Sequence, residues 1–206
     1  MKFKIFLILI LLLISACSSK DEIKLIEIKE KEIDLQLLEA YKEGLEALDG
    51  GDVLFAAKKF NEAEDVFPQS DWAPKSALMA SYAYYSQDYY FDAEEELKRF
   101  IRKYPTYKDI DYAYYLLAIT YYEQIVDEKK DLESIKNAKE TFELIIKNFP
   151  DTDYALDSKF KLDLIRDTLA AKEMYIGRYY LGKKKWIAAI NRFKTVVEIY
   201  DTTIFY

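Results

Sequence analysis

Cys17 is the single cysteine of this 206-residue chain, and histidine is absent. Those two facts exclude most side-chain chemistry. A Cys–His or Ser–His–Asp nucleophile system cannot be assembled without an imidazole. A zinc site of histidine and cysteine ligands cannot be assembled either. One cysteine forms no disulfide within its own chain. Carboxylate chemistry survives, because 37 Asp and Glu are present. A carboxylate enzyme needs several of them converging in a pocket, and the helical pattern described below puts such residues mainly on solvated faces. No catalytic residue, cofactor or metal is expected. The net charge of −7 and pI near 4.9 also argue against binding a nucleic-acid backbone.

The chemistry that remains concerns Cys17 itself. Lys2 and Lys4 give a positive start, Ile5 to Ile14 is an unbroken apolar run, and Ser15 and Ala16 are small. The run is too short to span a bilayer as a helix and suits the core of a secretory signal. The order of lysines, apolar core, small residues and cysteine resembles a bacterial lipoprotein box. That resemblance implies a signal peptide over 1–16, cleavage before Cys17, and acylation of its thiol. Acyl chains would hold the protein to a membrane. Ser18 follows, rather than Asp, which by the sorting rule of such lipoproteins implies the outer membrane. Residues 17–34 are rich in Lys and Glu and are expected to form a lipidated tether that merges into the first helix.

Tyrosine is the other unusual feature: the chain has 19, and five fall in "DYAYYLLAITYYEQI", Asp111 to Ile125. Their spacing follows from a repeat. In four segments an alanine is followed four positions on by a large apolar residue and seven further by an aromatic. The sets are Ala56/Phe60/Phe67, Ala93/Leu97/Tyr104, Ala138/Phe142/Phe149 and Ala189/Phe193/Tyr200. Pro68, Pro105 and Pro150 close the first three, and Asp201 stands in the fourth. These spacings share one helix face, and a proline just past the last turn stops a helix. Twelve positions upstream of the alanine stands Gly44, Ser81 or Gly177, followed three residues later by Ala47, Tyr84 or Tyr180. In the third copy the pair is Ala118 and Tyr121, and an insertion of about eight residues is expected in the polar stretch Val126 to Glu133.

This is the tetratricopeptide pattern of paired antiparallel helices. The expected fold is all-α, a right-handed superhelix of four such pairs over residues 35–206, at about 37–70, 74–107, 111–152 and 170–203. A fifth pair is missing from the expected set. Asp153 to Leu181 lacks proline, and lacks glycine before Gly177, so one long helix is expected there. Stacked pairs bury a core between neighbours and line a concave face with their first helices. Tyr114 and Tyr121 belong to the packing stripe. Tyr82, Tyr85, Tyr112, Tyr115, Ile119 and Tyr122 fall on the other face and are the expected lining of a groove for an extended peptide. Cover of part of that stripe by the chain's own N-terminal tether, or by tight curvature, is the alternative. Arg178 and Arg192 are candidate partner-binding cations, Arg178 through a terminal carboxylate or an intrachain acid.

The lipoprotein start, "DYAYYLLAITYYEQI" and "GRYYLGKKKWIAAINRFKTVVEIYDTT" together resemble the BamD (ComL) family, from Cys17 to about Thr203. These are the repeat lipoproteins of the β-barrel assembly machinery in Gram-negative outer membranes. The resemblance implies a lipid-anchored protein on the periplasmic face of the outer membrane that performs no chemistry. It implies a BamA-like barrel protein and other assembly lipoproteins as partners, and unfolded outer-membrane proteins with an aromatic C-terminal signal as substrates. A fifth repeat is usual in the family, and here "DTTIFY" follows the fourth directly. Phe193, Val196, Val197 and Ile199 are then expected to face nothing within the repeat array. The competing expectation is another envelope repeat lipoprotein that scaffolds pilus or cell-wall assembly.

Overall fold

A computed structural model describes residues 19–125 and 132–204. The expected signal peptide and Cys17 lie outside the described residues, as does most of the expected Val126 to Glu133 insertion. The described residues form eight α-helices and no strand: α1 Ser19–Asp49, α2 Val53–Val66, α3 Trp72–Tyr85, α4 Tyr90–Lys103, α5 Ile110–Glu123, α6 Leu132–Asn148, α7 Asp153–Gly182 and α8 Trp186–Ile199. The all-α architecture of paired helices is that of a tetratricopeptide protein. The chain divides into two compact units, Met1–Ser76 and Ala77–Tyr206, with the division inside α3.

α1 begins at Ser19, so helix extends through the Lys/Glu-rich segment. Both residue types are good helix formers, which accounts for it. In the first unit α1 packs on α2. A Cβ on Gly44 would meet the Phe60 ring at 2.8 Å, so only glycine lets these helices approach this closely. Phe60 is fully buried. Tyr41 meets Phe60 and Trp72 edge-on at 5.3 and 5.1 Å, and the Lys75 ammonium sits 4.4 Å from the Trp72 ring centre.

In the second unit, helices pack on their neighbours in sequence from α4 to α8, with an added contact of α5 on α7. One core cluster joins Leu97 and Phe100 of α4, Leu116, Leu117 and Ala118 of α5, Ile135, Phe142 and Ile145 of α6, and Ala155 and Ile165 of α7. The buried Ser81 and Thr120 hydroxyls are satisfied inside their own helices, donating to the Ala77 and Leu116 carbonyls. The second half of α7 repeats the device of the first unit, since a Cβ on Gly177 would meet Phe193 of α8 at 2.4 Å. That contact and the burial of Val196 correct one expectation: Phe193 and Val196 face inward, and Val197 and Ile199 alone of that set are exposed.

The repeat is also written in the backbone. The N–H of Asp52, Tyr89 and Lys185 donates to the carbonyl of Ala47, Tyr84 and Tyr180 respectively, at 2.9, 3.1 and 3.0 Å. The residue before each donor is left-handed: Gly51, Asp88 and Lys184 at φ 80, 64 and 56°. Past the second helices, Ser70, Tyr107, Thr152 and Thr203 donate their N–H to Phe67, Tyr104, Phe149 and Tyr200. These reversals satisfy carbonyls that a helix end leaves open.

Candidate functional site

Tyr112, Tyr115 and Tyr122 of α5 are held by the first half of α7. Thr152 caps that helix by accepting the Ala155 N–H, and Ala155 and Ser158 bury one face of its first turns. The next face then presents Tyr154, Asp157 and Lys161, spaced three and four apart. Tyr154 stacks on Tyr115 at 5.0 Å and tilts against Tyr112 at 5.7 Å. The Tyr115 hydroxyl donates to Asp157 Oδ2 at 2.7 Å. The Lys161 ammonium lies 4.7 Å from the Tyr122 ring centre, and Tyr122 meets Phe142 edge-on at 6.4 Å.

Burial and neighbouring phenols govern the electrostatics. Burial pushes the Tyr112 hydroxyl up to about 12, and Tyr82, Tyr154 and Tyr85 add to the shift. Tyr115 is also raised, first by burial and then by its bond to Asp157. Tyr85 and Tyr122 are raised chiefly by burial. All four therefore remain neutral hydrogen-bonding groups at physiological pH. The arrangement suits recognition of a ligand with aromatic or aliphatic parts, because phenols offer rigid apolar area with a polar tip.

Tyr112 and Tyr115 share the Tyr154 ring, Tyr85 packs against the same core cluster, and Tyr82 and Tyr85 both act electrostatically on Tyr112. Tyr82 is exposed, and Tyr85, Tyr112, Tyr115 and Tyr122 are half-buried. Ile119 departs from the expected groove lining: at 7% exposure it belongs to the core cluster. Its neighbours are drawn inward for the same reason, since α7 crosses this face and covers part of it. Tyr154, Asp157 and Lys161 were not expected at the site. Their three-and-four spacing is the signal that could have marked them, but α7 has no proline, and no glycine before Gly177, to divide it.

Arg178 and Arg192 belong to the α7–α8 pair rather than to α3 or α5. Arg178 is exposed. Arg192 Nη1 donates to both carboxylate oxygens of Glu173, at 3.2 and 3.0 Å, so an acid of its own chain already holds it. It borders an open cleft of about 320 Å³ with Tyr180, Asn191 and Thr195. The equivalent residues of the preceding pair, Tyr121, Glu140, Thr141 and Leu144, border a cleft of about 290 Å³. No described helix is long and apolar enough to cross a membrane.

The YfiO family model, described as outer membrane lipoprotein, matches residues 34–205. A Rickettsia prowazekii protein named outer membrane protein assembly factor BamD is 39% identical over 197 residues, covering 96% of this chain and 76% of the relative. The protein of that name from Caulobacter vibrioides is 37% identical over 190 residues, covering 92% of this chain and 61% of the relative. The one from Neisseria gonorrhoeae is 28% identical over 180 residues, covering 82% and 67%. The chain thus spans about three-fifths to three-quarters of the length of these relatives. A match that holds across both units, joined to paired helices with the same reversals repeated along the chain, places this protein in the BamD family of outer membrane lipoproteins.

Proposed function

We propose that this protein is a non-catalytic component of the machinery that assembles β-barrel proteins in the outer membrane. The observation that carries the reading is the match over residues 34–205 to a family whose similar members are named assembly factors. Acyl chains on Cys17 anchor it, with the helical units on the periplasmic face. It binds a BamA-like barrel protein alongside other assembly lipoproteins and receives unfolded barrel proteins. Tyr82, Tyr85, Tyr112, Tyr115 and Tyr122 form the substrate contact, and Arg178 and Arg192 contribute to the barrel-protein contact. Tyr82 is the exposed member of the set, and the other four are half-buried.

Affinity purification of the tagged full chain from its own outer membranes tests the assignment. A BamA-like barrel protein is expected in the eluate; its consistent absence while other lipoproteins co-purify sinks the proposal. The substrate contact is tested with a labelled peptide ending in an aromatic residue. Tyr82→Ala is expected to weaken its binding about tenfold, the scale of one lost aromatic contact at an interface, with helicity unchanged. Equal affinity of the variant removes Tyr82 from the site.

A further inference from the structure

The reversal between α7 and α8 copies two others in backbone and differs from them in chemistry. Around Gly51 the copy carries Asp49 and Asp52, and around Asp88 it carries that acid alone. The third reads Leu181, Gly182, Lys183, Lys184, Lys185, Trp186, Ile187, and every one of these residues is exposed. Three adjacent cations therefore stand in a chain of net charge −7. Among the described residues, none of the three forms an ion pair. Lys183 and Lys185 lie 5.8 and 5.9 Å from the Tyr179 and Tyr180 ring centres. Trp186 is 57% exposed, Ile187 78%, and Ile190, on the same face one turn on, 61%.

Folding does not require this composition. One cation suffices to favour the negative end of α7. Lys184 occupies a left-handed position that glycine fills without strain in the first copy. The corresponding residues of the other copies need no cation at all. Leu54 and Phe91 are likewise exposed at the position of Ile187, so the three cations and the exposed Trp186 are what set this tip apart.

We propose that the α7–α8 tip is a contact for a bilayer surface bearing anionic lipid. Lys183, Lys184 and Lys185 would approach the headgroup phosphates, where each basic residue adds to attraction. Trp186 and Ile187 would enter the interface, the level at which an amphipathic indole is most stable. An acidic protein could satisfy the lysines. A bilayer, however, accepts protruding apolar groups without the matching concavity that a folded partner would have to supply. This contact is separate from acylation of Cys17 and from the tyrosine cluster.

The test uses Trp186 as reporter in the full chain carrying Cys17→Ser, which removes acylation, and Trp72→Phe, which removes the other indole. Vesicles of phosphatidylcholine are compared with vesicles that also contain phosphatidylglycerol. With the mixed vesicles, Trp186 emission is expected to shift to the blue and to be quenched by lipids brominated in their acyl chains. The lipid concentration at half-response is expected to rise roughly a hundredfold in K183Q/K184Q/K185Q. If Trp72→Phe does not fold, the difference spectrum between the chain and its Trp186→Phe variant supplies the same reading. The proposal is overturned by an unchanged emission with both vesicle types, by an identical midpoint for the triple variant, or by a response confined to added acidic protein.

Discussion

Tyr115 and Asp157 are 42 positions apart, and their 2.7 Å hydrogen bond ties the tyrosine-rich helix to the start of the long one. Tyr115→Phe is expected to cost about 1 kcal/mol, the net value of one partly buried bond. In an Asp157→Ala background the same substitution is expected to cost almost nothing, as measured by urea denaturation of the four proteins of the cycle. Tyr112 yields a pH prediction. Its hydroxyl pKa is raised by burial from 10.0 to about 12. The folded state therefore holds this proton more tightly than the unfolded chain does. Its contribution to stability is complete below pH 10 and is lost as pH rises from there through about 12. Denaturation midpoints measured across that window are expected to fall, and to fall less steeply in Tyr112→Phe.

Among the elements, the helix reversals separate backbone strain from packing. Gly51 sits at φ 80°, and a Cβ there would meet nothing within 4 Å. Gly51→Ala is therefore expected to cost about 1–2 kcal/mol from the left-handed backbone alone. Lys184 holds the equivalent conformation with a side chain. Lys184→Gly is expected to stabilise by several tenths of a kcal/mol, offset in part by the greater freedom of glycine in the unfolded chain. Thermal melts of both variants check the opposite signs. If both variants lose stability, the shared geometry does not govern these turns. α7 is the element least like its counterparts, since its first half packs on α5 and α6 and its second half on α8.

At the scale of the whole molecule, helix packing runs mostly between neighbours in sequence. Such arrays draw their stability from the interfaces between successive pairs. Phe142 lies at the centre of the second unit's cluster and is fully buried. Phe142→Ala is expected to cost about 3–5 kcal/mol, visible by circular dichroism as a large drop in melting temperature. A cost below 1 kcal/mol would show that α6 is not anchored through this residue. The tyrosine cluster and the lysine tip both lie in this unit, so helicity of each variant belongs with every binding measurement.

The repeat was legible in the residues because its demands are local. A small residue opposite a large one, an aromatic closing each second helix and a proline after it are all spaced by the helix period. They identified the paired helices and the single long helix from Asp153 onward, and the quoted segments pointed to the family. The standing of the second tyrosine stripe was not legible. Helix period places Tyr112, Tyr115, Ile119 and Tyr122 on one face but does not say what crosses that face. That was decided by tertiary packing: Ile119 enters the core cluster, and α7 stacks Tyr154 on Tyr115 and places Lys161 over Tyr122. Spacing along a chain determines which side chains share a helix face. Only the contact between helices distant in sequence determines which of those faces water still reaches.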